Sequence, residues 1–254
     1  MRPDRHYLTT LSRKYSEVCK STIVSPESGE TLYIGKVVLT NRSGGATDVG
    51  FGFRHTNSMW EAGQITAAST PDYSDDTTDA QDAGTNDFAL FTTTNNDGFL
   101  VQSIEPFNLI GIDLSTAASG GSPVYEYTYY DGTNMTALTL IDTPDYTDTT
   151  NDQHILFEVP NNWAKGSTAA VGADSDKYAV QVRATTASSG AGGLAAELWI
   201  ASLTDLQVEI ANNFALVEDF GSGEMAIPHG NGFVAYFETA SANNLVEVHY
   251  RSSK

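Results

Sequence analysis

The segment Thr31–Thr40, TLYIGKVVLT, predicts a β-strand and indicates a β fold for this chain. Its β-branched and aromatic residues, uninterrupted by Pro, are typical of a strand that is buried on both faces near its middle. The turn sequence NRSGG follows at 41–45, and DVGFGFR at 48–54 alternates as a returning strand would. We therefore expect these two segments to form a β-hairpin with about eight residues in each arm.

Short strand-like segments separated by turn residues continue to the C-terminus. We predict further strands at 98–104, 107–114, 124–130, 135–141, 154–159, 177–185 and 195–203, followed by alternating segments at 206–210, 233–237 and 245–250. Many short strands with Gly, Pro and Asn between them indicate β-sandwiches or jelly rolls. We expect an all-β fold of two sandwich-like domains, with the module 57–204 inserted into a discontinuous domain formed by 21–56 plus 205–254.

Charge is distributed unevenly along the chain. The 13 basic and 32 acidic residues give a net charge of −19, yet residues 1–20 carry five basic and two acidic residues, a net of +3. An acidic body repels phosphate, so we expect no nucleic acid and no anionic membrane as a partner. No stretch approaches the ~18 apolar residues of a membrane span, and the first residues lack the apolar segment of a secretory signal.

The segment 1–20 is predicted to be a short amphipathic helical arm that docks on another subunit. Its apolar residues are spaced 3, 4 and 3 apart, as on one face of a helix, and its basic residues oppose the charge of the body. The candidate contact residues are Arg2, Arg5, Leu8, Leu11, Arg13, Lys14, Tyr15 and Val18. The alternatives are a frayed terminus and packing of the apolar residues on the protein's own sandwich.

Motifs for chemistry are absent or weak. The polar loop 70–87 offers Asp72, Asp75, Asp76 and Asp79 as weak calcium candidates, although their spacing does not match an EF-hand loop. The alternative is a solvated Asp/Thr-rich turn. No close metal-ligating histidine pair, nucleophile elbow or phosphate-binding glycine motif occurs. We therefore expect no catalytic residue, no bound metal and no cofactor.

Tyrosines alternate along the predicted strand 124–130. Tyr125, Tyr127 and Tyr129 share one face of that strand. If this face is exposed, it offers a surface on which sugars stack. If it is buried, it belongs to the core or to a subunit interface.

Several motifs occur in an order that resembles a β-rich module of structural proteins of tailed bacteriophages. They are VYEYTYYDGT at 124–133, VPNNWA at 159–164 and YAVQVR at 178–183. The segments SGETLYIGKVVLTN at 28–41 and NNLVEVHY at 243–250 are similar to the opening and the close of a small virion sandwich domain.

This resemblance implies a non-enzymatic virion protein. Within that class it favours a capsid decoration or cement protein, a homotrimer that binds the major capsid protein or other virion subunits. The expected location is the outer surface of the phage head, after synthesis in the host cytoplasm. The alternatives are a tail, baseplate or fibre component and, from another class, a carbohydrate-binding module.

Overall fold

The computed structural model describes residues 9–15, 24–67, 72–84, 86–149, 153–220, 225–228, 231–239 and 241–253 of the 254-residue chain. Its strands are β1 (Thr9–Tyr15), β2 (Thr31–Thr40), β3 (Thr47–Arg54), β4 (Trp60–Ile65), β5 (Tyr73–Asp75), β6 (Phe88–Ala89), β7 (Gly98–Ser103), β8 (Leu109–Thr116), β9 (Val124–Tyr130), β10 (Met135–Ala137), β11 (Leu140–Asp142), β12 (Gln153–Phe157), β13 (Tyr178–Thr186), β14 (Leu194–Ile210), β15 (Ala215–Asp219), β16 (Met225–Pro228), β17 (Gly232–Phe237) and β18 (Asn244–Ser253). The helical elements within these residues are α1 (Thr77–Gln81) and a 3-10 turn at Asn57–Met59, and no described helix is long and apolar enough to cross a membrane. The prediction of an all-β fold is confirmed.

The chain forms two compact units. Unit 1 contains Met1–His55 and Ser202–Lys254, and unit 2 contains Thr56–Ala201. The boundaries expected from the sequence, after residues 56 and 204, lie one and three residues from these crossing points. The second crossing point falls inside β14, so this long strand contributes to both units.

Unit 1 is a sandwich of two antiparallel layers. Its first layer, named sheet A here, has the strand order β1-β18-β2-β15, with β16 also paired to β2. In the second layer β3 pairs with β17. The core between the layers consists of Leu32, Ile34, Val37, Leu39, Val49, Phe51, Ile210, Ile227, Phe233, Ala235, Phe237, Val246 and Val248. The segments 32–40 and 245–250, which the sequence places in one sandwich, pair directly with each other.

The connection between β2 and β3 is an arch, so the prediction of a hairpin is wrong. β2 pairs with β18, β15 and β16 in sheet A, whereas β3 pairs with β17 in the facing layer. Val37 and Phe51 bury their side chains in the same core, which places the two strands face to face. Asn41 is fully buried at the start of the arch and donates 2.7 Å hydrogen bonds to the carbonyl oxygens of Gly45 and Ile210.

The prediction of an N-terminal helix is wrong over Thr9–Tyr15, which form strand β1. This strand pairs antiparallel with β18 over seven residues, from Thr9 opposite Tyr250 to Tyr15 opposite Asn244. Two consecutive threonines disfavour a helix, and the edge of β18 offers backbone partners that a helix would leave unused. The remaining predicted arm residues Arg2, Arg5, Leu8 and Val18 lie outside the described residues.

Unit 2 has two layers of its own. One is a six-stranded sheet with the order β10-β9-β13-β7-β4-β5. The other contains β11, β12, β8 and the first half of β14, with β6 paired to β14. Apolar residues of both layers, such as Val101, Val182, Ile110 and Ile155, form one buried core.

The segment VPNNWA supplies an aromatic residue to this core. The ring of Trp163 lies 5.3 Å from Phe107, 5.9 Å from Phe157 and 5.4 Å from Tyr178, measured between ring centroids. Such inclined aromatic contacts stabilise a core beyond their buried area. In this chain, the motif that carries part of the phage resemblance therefore has a packing role.

Candidate interaction surface

The outward face of sheet A is accessible to a partner. Side chains that point inward from β2 and β18 are buried, but the outward residues Lys36, Val38, Glu247 and His249 each keep part of their surface exposed. On β1 the outward residues Thr10, Ser12 and Lys14 are exposed. This face therefore presents both signs of charge beside small polar and apolar groups.

Strand β1 is bound to β18 by side chains on this face as well as by backbone pairing. The hydroxyl oxygen of Thr10 lies 3.1 Å from Nδ1 of His249, and Ser12 donates a 3.4 Å hydrogen bond to Glu247. Leu11 packs against the core of unit 1, so it does not belong to an exposed docking stripe. Of the predicted contact residues, Arg13, Lys14 and Tyr15 lie on β1, and Lys14 is exposed.

The opposite edge of sheet A is formed by β15. Its inward residue Leu216 packs on the core, whereas Val217 on β15 and the preceding Phe214 are 50% and 66% exposed. The backbone amide of Asn41 donates to the carbonyl oxygen of Phe214 at 3.0 Å and so fixes the start of the strand. Sequence reasoning missed β15, because five alternating residues after an Asn-Asn turn are a weak strand signal.

The tyrosines of β9 belong to the core of unit 2, as the buried alternative for their shared face expects, and they form no exposed aromatic surface. Tyr129 is 7% exposed and donates a 2.7 Å hydrogen bond to Asn162, and Tyr125 and Tyr127 pack on the same core. The ring of Tyr125 lies 4.6 Å from that of Tyr146. Burial raises the pKa of Tyr127 to about 12. These rings are therefore not available for stacking on sugars.

The acidic residues proposed as calcium ligands have other partners. Asp72 accepts a 2.8 Å hydrogen bond from Arg183, and both side chains are largely buried. Asp75 accepts a 2.6 Å hydrogen bond from the hydroxyl group of the first residue of α1. Burial, followed by the nearby carboxylate of Asp79, raises the pKa of Asp76. Among the described residues, no group of three or more His, Cys, Asp or Glu side chains is arranged to hold a metal ion.

Two buried histidines each pair with a partly buried polar side chain. Nε2 of His55 lies 2.8 Å from the hydroxyl oxygen of Ser202, and burial lowers the pKa of His55 to about 4. Nε2 of His154 lies 2.9 Å from a carboxylate oxygen of Asp142. Burial alone raises the pKa of Asp142, but the hydrogen bond and charge of His154 outweigh it and hold this pKa below its usual range. Both pairs connect neighbouring strand segments.

Comparison with known proteins identifies no relative of this chain. No protein-family model matches it, and no curated protein or solved structure does. The functional conclusion is therefore based on the motifs in the sequence and on the accessible face and edges of sheet A.

Proposed function

We propose that this protein is a non-enzymatic structural protein of tailed-phage particles, a capsid decoration protein that binds the outer surface of the head shell. The accessible outward face of sheet A, with a basic edge strand on an acidic chain, is the observation that carries the proposal. The order of motifs in unit 2 and the strand segments of unit 1 support the phage class by resemblance.

The binding face has a basic residue at its edge and apolar area in its middle. Lys14 is exposed on β1, although the chain as a whole carries a net charge of −19. Charges at the rim of an interface accelerate association and fix orientation more than they add affinity. A head-shell partner of this face therefore presents acidic groups toward β1. The partially exposed Val38 supplies apolar area in the middle of the face.

A cryo-EM reconstruction of the particle that carries this gene tests the proposal. We expect density for both β-sandwich units on the outside of the head, repeated at symmetry-equivalent positions of the shell. Density at the tail, baseplate or fibres would overturn the decoration role and identify a tail component. Particles without any copy of the chain would overturn the virion role altogether.

A binding assay with particles that lack the protein tests the face itself. Lys14→Glu is expected to slow association with the particle about tenfold at low salt, because a steering charge at the rim is reversed. Lys165→Glu is the matched control, since it makes the same change of charge at an exposed position of unit 2. Equal association rates of these two variants would contradict the assignment of sheet A as the binding face.

A further inference from the structure

Sheet A ends in two edges of opposite charge within the described part of the chain. β1 forms one edge, and β15 forms the other together with β16. β1 has the sequence TTLSRKY, with Arg13 and Lys14 and no acidic residue. β15 has the sequence ALVED, with Glu218 and Asp219 and no basic residue. A strand edge presents unpaired backbone donors and acceptors that can pair with a further strand.

We propose that copies of this chain associate head to tail through these edges, so that β1 of one copy pairs with β15 of the next. Addition of a strand to an exposed sheet edge is a recurrent mode of protein recognition. The inference deepens the homo-oligomer that the sequence resemblance implies, since it names the two surfaces that meet. It does not depend on a phage particle.

Strand direction permits this contact. Neighbouring strands of sheet A are antiparallel at each step, from β1 to β18, from β18 to β2 and from β2 to β15. β15 therefore runs opposite to β1. A second copy in the same orientation presents its β15 antiparallel to β1, which allows a regular antiparallel ladder to continue across the contact.

The paired rows of sheet A define a register for the contact. Leu216 pairs with Leu39, Leu39 pairs with Val246, and Val246 pairs with Arg13. Continuing this row places Arg13 opposite Leu216 of the next copy. A slide of two residues, about 6.6 Å along the strand, keeps the alternation of the faces and places Arg13 opposite Glu218. Opposite charges in directly facing positions stabilise a strand pair.

The same two-residue slide also brings a second pair of opposite charges near each other. Lys14 then lies diagonal to Asp219 of the next copy, a separation that long side chains can span. Phe214 and Val217 are 66% and 50% exposed at the β15 edge. A strand such as β15, which exposes large apolar groups and contains neither Pro nor Lys, is typical of an edge that is covered by a partner.

The proposed contact joins two different surfaces, so it has a polarity. Contacts of this kind close into a ring when the rotation between copies is a simple fraction of a full turn. The number of copies in the assembly follows from its measured mass relative to the 27.2 kDa of one chain.

Sedimentation velocity of the purified full chain tests the interface. We expect the wild type to self-associate at low ionic strength and to dissociate as salt is raised, because salt screens the edge charges. R13E/K14E and E218K/D219K are each expected to weaken association at least about tenfold, since attraction at the contact becomes repulsion. Circular dichroism and Tm establish that both variants remain folded.

Mixing the two variants gives the sharpest result. R13E/K14E carries two acidic edges and E218K/D219K carries two basic edges, so neither variant pairs with itself. The mixture places opposite charges at every contact, and we expect it to associate with the two variants in equal amounts. Such alternation requires an even number of copies in a closed ring, so a wild-type ring with an odd number would change its size.

A charge-matched control and the overturning results complete the test. D113K/E158K makes the same change of charge as E218K/D219K at exposed positions of unit 2, and we expect it to associate like the wild type. A wild-type chain that remains a 27.2 kDa monomer at all salt concentrations overturns the proposal. A mixture that remains monomeric while the wild type associates also overturns it. Particle binding by a chain that never self-associates would support the proposed function and overturn this interface.

Discussion

Acidification is expected to destabilise unit 1 through His55. This side chain is 4% exposed, and burial lowers its pKa from 6.5 to about 4. The unfolded chain therefore takes up a proton at a higher pH than the folded chain does. Stability is lost as the pH falls below 6.5, and the loss ends near pH 4, where the folded chain also becomes protonated.

The size of the effect follows from the difference between the two pKa values. A difference of about 2.5 pH units at 1.36 kcal/mol each gives about 3.4 kcal/mol over the whole range, of which about 2 kcal/mol is lost by pH 5. The chain also has 32 acidic residues, and protonation of carboxylates adds its own pH dependence to the stability of an acidic protein. A comparison with a variant that lacks only the imidazole cancels their contribution.

His55→Gln provides this comparison, because an amide does not titrate and keeps a donor and an acceptor near Ser202. Urea denaturation between pH 7 and pH 5 is expected to show a wild-type loss that exceeds the variant's by about 2 kcal/mol. Ser202→Ala is the control for the hydrogen bond. It should cost about 1 kcal/mol at every pH and retain the dependence on pH, since burial causes the shift. If the free energy of unfolding changes with pH in the same way for the wild type and His55→Gln, His55 is not a source of the acid sensitivity.

Three substitutions in unit 2 test its packing by urea denaturation. Trp163→Ala removes the aromatic contacts of this partly buried ring and should cost about 3 kcal/mol; a loss below about 1 kcal/mol would contradict its packing role. Gly111→Ala places a methyl group against the buried indole of Trp199 and should cost about 1–3 kcal/mol with a changed tryptophan fluorescence. Arg183→Met leaves the largely buried Asp72 without its ion-pair partner and should cost about 3 kcal/mol at pH 7, whereas Asp72→Asn combined with it should recover part of that loss.

Apolar and β-branched segments between turn residues located most strands, some by alternation and others, such as β7 and β12, as continuous segments that are buried throughout. The segments expected at 98–104, 154–159 and 177–185 differ by at most two residues at either end from β7, β12 and β13. Alternation does not identify the neighbouring strand. β2 and β3 alternate as the arms of a hairpin would. They nevertheless lie face to face across one core and do not pair side by side in one sheet.

The N-terminal segment shows a second limit of periodicity. Leu11 and Tyr15 are four residues apart, a spacing that fits one face of a helix and equally one face of a strand. The choice is made by a distant segment, since the edge of β18 is available to pair with Thr9–Tyr15. No local pattern contains that information.

The candidate surface was the least predictable part of the molecule. The sequence correctly indicated that the β9 tyrosines share a face, but only the packing around Tyr125 and Tyr146 shows that this face is internal. β15 has five residues, too few for a distinct pattern, and its position at an edge depends on the order of all strands in sheet A. Exposed surfaces are a property of the assembled sheet.

The charges on the two edges of sheet A also favour one mode of association over the others. Two copies of β15 that approach each other bring Glu218 and Asp219 of both chains together, and two copies of β1 do the same with Arg13 and Lys14. Like charges in facing positions destabilise a strand pair, so both symmetric contacts are disfavoured. The contact between β1 and β15 is the remaining combination and the one with opposite charges. The charged residues that disfavour contacts between two β1 strands or two β15 strands therefore favour the contact between β1 and β15. This contact joins different edges, so it gives the assembly a direction.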